Sequence, residues 1–130
     1  MTIANWCVLT ACLLPVATIG LAKGSSATLP RDAGRYDNNH PRDWASRLTG
    51  WQQRAVAAQH NGFESLPLFI AAVLLAQQAQ AAQGRIDMLA LAFVLARVLY
   101  VAAYLINAGT LRTLLWTAGV GISIAIFTLG

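Results

Sequence analysis

The sequence predicts an all-α integral membrane protein: a single domain, residues 1–130, that crosses the bilayer four times as a helical bundle. Of its 130 residues, 57% are hydrophobic and only 11% are charged, and the mean hydropathy is +0.55. A soluble domain of this length needs more charge to cover its surface. The apolar residues are also grouped into blocks of membrane-spanning length, whereas a soluble helical bundle requires amphipathic periodicity.

The four predicted spans cover approximately residues 3–22, 56–76, 88–106 and 112–128. The first contains Pro15, which membrane helices tolerate because neighbouring groups satisfy the freed backbone carbonyl. The second helix is expected to begin between Trp44 and Trp51, before it enters the bilayer. A Gln/Ala-rich turn around Gly84 and a tight connection at residues 107–111 join the later spans.

The basic residues predict the orientation of these spans. The polar loop at residues 23–54 contains six of the nine basic residues: Lys23, Arg31, Arg35, Arg42, Arg47 and Arg54. Three aspartates share this loop, so the net charge of +4 reflects the positive-inside rule rather than a nucleic-acid partner. The loop and the connection before Arg112 are expected in the cytoplasm, with both termini on the opposite side.

No motif for a metal site, a catalytic triad or a phosphate-binding loop is present. Cys7 and Cys12 are five residues apart in the first apolar block and point in different directions. Neither a disulfide nor a metal site is therefore expected from them. His60 lies roughly 100° around its helix from Asn61, since successive helical residues are separated by that angle, and it is assigned no chemistry.

The second helix has one polar stripe. At helical spacing its members are Arg54, Ala57, Asn61, Glu64 and Leu68. A carboxylate at Glu64 costs several kcal/mol if it faces lipid, so Glu64 is expected to face the bundle interior. Two interpretations remain open: the stripe binds one polar ligand, or Glu64 pairs with an arginine of another helix.

The third helix has a matching stripe in Arg97, Tyr100 and Tyr104, at i, i+3 and i+7. Arg97 can extend to the membrane surface, pair with Glu64, or line a polar cavity. Taken together with the stripe of the second helix, this set favours a binding pocket. By composition alone, Arg112 is interpreted as an arginine at the membrane boundary.

At these positions the sequence resembles the MAPEG family, the membrane-associated proteins of eicosanoid and glutathione metabolism. The family's second-helix pattern is approximately R-A-x-x-N-x-x-E-x-x-P, and Ala58, Asn61, Glu64 and Pro67 keep its spacing. The third-helix pattern, followed by an arginine after a short turn, is met by Arg97, Tyr100, Tyr104 and Arg112. The loop at residues 37–42 resembles bacterial members, so a bacterial inner membrane is expected.

The resemblance implies a homotrimer that binds glutathione as co-substrate between subunits near the cytoplasmic face, together with a lipophilic small molecule. Asn61 and Glu64 would hold the glutathione backbone, with Gln59 contributed by a neighbouring chain. Carboxylates and peptide groups would be bound by Arg97, Tyr100 and Tyr104. Arg112 would stabilise the thiolate, because a cation beside sulfur lowers the pKa of a thiol.

The sequence departs from the family pattern at three places. Ala57 stands where the second-helix pattern has its arginine, and Arg54, one turn earlier, is a candidate substitute. Ser65 stands where several eicosanoid enzymes have a tyrosine, and Arg112 is one residue further from Tyr104 than in leukotriene-type members. Two functions therefore stay open: a glutathione transferase or peroxidase for lipophilic electrophiles, and a non-catalytic protein that binds a lipid or partner in the inter-subunit cleft.

Overall fold

The computed structural model describes residues 1–130 and is entirely helical, as predicted. A single 3-10 turn lies at Arg31–Ala33, and the five α-helices are α1 (Ile3–Ser25), α2 (Pro41–Ser46), α3 (Gly50–Gln78), α4 (Gln83–Leu105) and α5 (Gly109–Phe127). By length and composition, three of these helices can cross a membrane: α1, α4 and α5. The longest helix, α3, has polar residues along its first half.

Hydrogen bonds at both ends show that α3 runs antiparallel along the full length of α1. At one end Gln52 Nε2 donates to the carbonyl of Ala22, at 3.3 Å. At the other end Gln77 Nε2 donates to Thr2 Oγ1, at 2.9 Å. The start of α4 lies at this same end, where Asp87 Oδ1 accepts from the Ala4 N–H at 2.8 Å. The helices α1, α3 and α4 therefore lie side by side over the same length of the bundle. The last helix, α5, packs against α4.

Small residues let the long helices approach closely, as is common in membrane bundles. Gly62 of α3 lies directly against Pro15 of α1, where a Cβ atom on Gly62 would be 2.6 Å from the proline Cγ. Between α3 and α4, the rings of Phe69 and Phe93 stack at a centroid distance of 3.8 Å. Half of the remaining core residues are alanines: Ala4, Ala11, Ala72, Ala76 and Ala90.

The C-terminal ends of α3 and α4 are capped in the same way by the backbone. Gln80 after α3 and Asn107 after α4 take the left-handed conformation, with φ of 58° and 62°. The next amide along the chain then donates backwards, from Ala81 to the Ala76 carbonyl and from Ala108 to the Ala103 carbonyl. This pattern satisfies carbonyls that the helix leaves without partners. The α3–α4 and α4–α5 connections are consequently short.

The segment between α1 and α3 is folded rather than extended. Trp44 of α2 is buried against Ala22 and Ala55, and its Nε1–H donates to the Gly34 carbonyl at 3.0 Å. The Tyr36 ring meets the Trp44 ring edge-on at 5.0 Å. Where one polar loop to residue 54 was expected, the structure therefore has α2 and the first turn of α3.

A left-handed glycine is the first residue of α3. Gly50 has a φ of 61°, a conformation that glycine adopts at little cost because it has no Cβ. The second long helix therefore begins at Gly50, within the expected interval of residues 44–51, and a separate short helix that ends at Ser46 precedes it.

Only 26 of the 130 residues are buried, so most of the apolar surface needs other cover. Large apolar side chains are exposed along each long helix, among them Leu13 at 56%, Leu95 at 60% and Leu114 at 63%. Such a surface is unfavourable in water, and the hydrocarbon core of a bilayer matches it. The exposed apolar surface therefore agrees with a membrane protein.

Candidate functional site

Arg97 is the buried charge around which the candidate site is built. Its side chain is 3% exposed, and its Nη2 donates to Asn61 Oδ1 at 3.1 Å. The guanidinium carbon also lies 4.2 Å from the centre of the Tyr100 ring. A cation in this position is stabilised by the negative face of the ring. Asn61 of α3 and Arg97 and Tyr100 of α4 are thus in direct contact.

The contacts continue from α4 to α5. The rings of Tyr100 and Tyr104 meet at 5.6 Å with an interplanar angle of 70°, and the Arg112 guanidinium lies 4.3 Å from the centre of the Tyr104 ring. Five residues therefore form one series of contacts across three helices, which we call the polar array: Asn61, Arg97, Tyr100, Tyr104 and Arg112. The array has a guanidinium near one end, another at the other end, and two aromatic rings between them.

Two cavities lie beside the polar array. The first, the Arg112 cavity, has a volume of about 220 Å³ and is lined by Asn61, Tyr100, Arg112, Thr113 and Trp116. The second, the Glu64 cavity, has a volume of about 250 Å³ and is lined by Glu64, Ser65, Leu68, Phe93, Arg97, Trp116, Gly119, Val120 and Ser123. Trp116 borders both. The first cavity has polar and apolar walls of similar extent, whereas the second combines one carboxylate and one guanidinium with mainly apolar walls.

Glu64 lines its cavity without an ion pair. The one ion pair in the protein joins His40 and Asp37, so Glu64 and Arg97 are not paired within a protomer. Of the three environments considered for Arg97, the structure has the cavity-lining one, with Asn61 as hydrogen-bond partner. The Glu64 side chain is exposed on the single protomer.

Arg54 and Gln59 lie apart from the other predicted site residues. Arg54 donates from Nε and Nη2 to the Leu105 carbonyl, at 3.1 and 2.9 Å, and so caps the end of α4. Its charge lies outside both cavities, and no cation stands in for the arginine that Ala57 replaces. Gln59 is partly buried and lines neither cavity.

Residues of α5 complete the site in a way that the motif-based prediction missed. Trp116, Gly119 and Ser123 follow Arg112 at i+4, i+7 and i+11 and line the Glu64 cavity. That spacing places them on one face of α5. Extending the helical stripe from Arg112 along α5 is the signal that finds them.

The site has unused capacity to bind anions. Arg54 and Arg97 are the two arginines whose side chains donate hydrogen bonds within the protein. Arg112 therefore keeps all of its N–H donors for a ligand, and Arg97 keeps those that Asn61 does not use. Two guanidinium groups against one carboxylate favour a ligand with more than one negative group and one positive group.

A sequence model of the MAPEG family matches residues 3–130 of the chain. Comparison with curated proteins and with solved structures returns no match. The family match covers all four predicted spans, the polar array and the loop between α1 and α3.

Proposed function

The chain belongs to the MAPEG family and is an integral membrane protein, and from this premise we propose that it is a glutathione transferase or peroxidase for lipophilic electrophiles. The observation that carries the proposal is the polar array. It brings a buried, hydrogen-bonded Arg97 and an unpaired Arg112 to neighbouring cavities in an otherwise apolar bundle. Glutathione has two carboxylates, one amine and one thiol, and these groups match the two guanidinium groups and the Glu64 carboxylate.

In the proposed reaction the residues of this chain have separate tasks. Arg97 and Asn61 bind a carboxylate or peptide group of glutathione, while Glu64 binds its amine. Arg112 holds the sulfur as a thiolate, whose proton passes to water. The thiolate then forms a bond to an electrophilic carbon, and the leaving group departs with the bonding electrons. For a lipid hydroperoxide, two thiols are oxidised to a disulfide while the hydroperoxide is reduced to an alcohol and water.

The proposed lipophilic substrate occupies the Glu64 cavity. Leu68, Phe93 and Val120 provide its apolar wall, and Gly119 and Ser123 leave room on the α5 side. Because Trp116 borders both cavities, an electrophile in this cavity lies beside a sulfur held at Arg112.

We propose four membrane spans, with α3 as the fourth. Its support is the pairing of α3 with α1 at both ends, through Gln52 and Gln77. If α1 crosses the bilayer, a helix that follows it from end to end crosses as well. The polar residues of α3 then lie at its cytoplasmic end and along the site. An even number of spans places both termini on one side of what we take to be a bacterial inner membrane.

The proposed assembly is a homotrimer. Glu64 lies near the middle of α3 and is exposed on a single protomer, where a carboxylate facing lipid is unfavourable by several kcal/mol. A neighbouring subunit over the Glu64 and Arg112 cavities removes this cost and encloses the ligand. The number three rests on the family.

A second candidate function is a non-catalytic membrane protein that binds a lipid or partner in the cleft between subunits. The observation that favours it is the missing cation of α3: Ala57 replaces the arginine of the family pattern, and Arg54 is engaged by Leu105. With one cation fewer, a ligand with a single anionic group suffices for the site.

Titration of the purified protein with glutathione, monitored by the ultraviolet absorbance of the thiolate, distinguishes the two functions. If the protein is the proposed enzyme, we expect a saturable increase in thiolate absorbance at neutral pH, and we expect Arg112→Ala to abolish it. The control variant is Arg85→Ala, because Arg85 is an exposed arginine outside both cavities. Absence of any thiolate signal in the wild type would reject the glutathione function in favour of the non-catalytic one.

A further inference from the structure

A second group of arginines lines a cavity on the segment between α1 and α3. This loop cavity has a volume of about 270 Å³, and Arg31, Arg35 and Arg47 contribute to its wall. An adjoining cavity of about 380 Å³ shares Arg31 and Arg35 with it. Three arginines from different turns of the segment therefore line one cavity, which shares no lining residue with the Glu64 and Arg112 cavities.

These three arginines have no partner within the protein. Among the arginines, only Arg54 and Arg97 donate side-chain hydrogen bonds within the protein. The one ion pair does not include an arginine. A guanidinium is a planar donor that binds two oxygens of a phosphate at once. The loop cavity thus offers several such donors without first breaking an internal contact.

The two acidic residues of the loop cavity cancel only part of this charge. Asp37 Oδ2 lies 2.9 Å from His40 Nδ1, and Asp37 Oδ1 accepts from the Asn39 N–H. These contacts, the His40 one foremost, hold the pKa of the Asp37 carboxyl below its usual range. Asp32 is the one lining carboxylate without a partner. The lining therefore has three guanidinium cations against two carboxylates, of which only Asp32 has no hydrogen-bond partner.

The walls of the loop cavity are held in place beside the end of a membrane helix. Trp44 lines the cavity, is buried, and packs on Ala22 in the last turns of α1. The Tyr36 N–H donates to Ser26 Oγ at 3.0 Å, one residue beyond the end of α1. Because α1 is long and apolar enough to cross a membrane, a cavity at its end is expected at the level of lipid phosphates and interfacial aromatic residues.

We propose that the loop cavity binds the phosphate of an anionic membrane phospholipid. The ligand chemistry is a phosphodiester held by Arg31, Arg35 and Arg47, with the rest of the headgroup in the adjoining cavity. A lipid is favoured over free phosphate because the site adjoins the end of an apolar helix, and the anionic cytoplasmic leaflet attracts juxtamembrane arginines. This site is independent of the glutathione function.

The test is native mass spectrometry of the full-length protein in detergent, with phosphatidylglycerol or phosphatidylcholine of identical acyl chains. We expect retained phosphatidylglycerol adducts and few phosphatidylcholine adducts. Arg31→Gln, Arg35→Gln and Arg47→Gln should each weaken phosphatidylglycerol binding about fivefold, the effect of about 1 kcal/mol per arginine near a membrane surface. Arg42→Gln is the matched control. This substitution removes the same charge from the same segment, but Arg42 lines neither cavity.

Asp32→Asn removes the free carboxylate and should therefore strengthen phosphatidylglycerol binding. A folding defect cannot produce this increase. An effect of Arg42→Gln as large as that of Arg47→Gln would overturn the site, because only the loop's net charge would then matter. Competition with inorganic phosphate separates the two sources of phosphate. Displacement of phosphatidylglycerol by equimolar phosphate would overturn the assignment to a lipid.

Discussion

Arginines inside a helical bundle need acceptors, and Arg97 and Arg54 have acceptors of different kinds. Arg97 has the Asn61 side chain and the face of Tyr100. Arg54 has the carbonyl of Leu105 at the end of α4. The first arrangement leaves donors facing a cavity, whereas the second uses the guanidinium to complete a helix end. Of these two arginines, only Arg97 is therefore in a position to bind a ligand.

Arg112 is predicted to act on sulfur. Arg112→Ala should lower turnover by roughly 10²–10³-fold, with glutathione affinity nearly unchanged, because one preorganised charge is removed from the transition state. Glu64→Gln should do the reverse and chiefly weaken glutathione binding. Steady-state kinetics and equilibrium binding measure the two effects. If Arg112→Ala changes only expression or thermal stability, Arg112 is a membrane-boundary residue.

Arg54 is predicted to act on stability. Arg54→Gln should lower the free energy of unfolding by about 1–3 kcal/mol, since the Leu105 carbonyl loses a charged donor. Glutathione affinity should not change. Thermal unfolding in detergent measures the first effect and calorimetry the second. Arg85→Gln, which removes an exposed arginine without a hydrogen bond, is the control; reduced glutathione affinity in Arg54→Gln would instead place Arg54 in the site.

At the scale of helices, the contact between Gly62 and Pro15 sets the distance between α1 and α3. Proline inside α1 leaves one carbonyl without its helical donor and presents a ring that needs space. Gly62 supplies that space, because a side chain of any size there meets the ring. The polar face of α3 is thereby fixed relative to α1. Asn61, the residue before Gly62, contacts Arg97 of α4.

Gly62→Ala is predicted to destabilise the bundle. The added methyl would lie 2.6 Å from the Pro15 Cγ, and overpacking of this kind costs about 1–3 kcal/mol. Gly20→Ala is the matched control, because nothing lies within 4 Å of its Cβ position and the gain in helix propensity is the same. Unfolding of both variants in detergent gives the comparison. Equal stability of the two variants would show that α1 and α3 separate easily.

Helical spacing predicts which side chains share a face of one helix, but not what that face meets. Helical spacing alone places Asn61 on the same face of α3 as Glu64, and Arg97 on the same face of α4 as Tyr100. The contact of Arg54 with Leu105 is not visible in it, because the acceptor is a carbonyl exposed where another helix ends. The separate helix α2 is also missed, since a glycine inside a helical pattern does not reveal the positive φ that Gly50 adopts at the start of α3. These features depend on how helices pack together.

At the scale of the whole molecule, both termini are predicted to lie outside the cytoplasm. The physical reason is the excess of basic residues between α1 and α3. Single cysteines at positions 38, 110 and 128, with Cys7 and Cys12 replaced by alanine, test this by labelling intact cells with a membrane-impermeant reagent. Only position 128 should react. Protection of position 128 together with labelling of position 38 would reverse the topology.

The oligomeric state is predicted to be a trimer. Native mass spectrometry of the protein in mild detergent should show three copies, because a lone protomer exposes Glu64 to lipid. A monomer in the wild type would contradict the prediction.

The hydrogen bond between the Ala4 N–H and Asp87 has a consequence for biosynthesis. Its two partners are separated by 83 positions in the chain. During translation α1 enters the membrane first, yet its first turn meets Asp87 only after the ribosome has produced the start of α4. Until then, the Thr2–Asn5 capping box alone satisfies that end of α1. The first turn of the helix that is made earliest is therefore completed only when the start of α4 has been made.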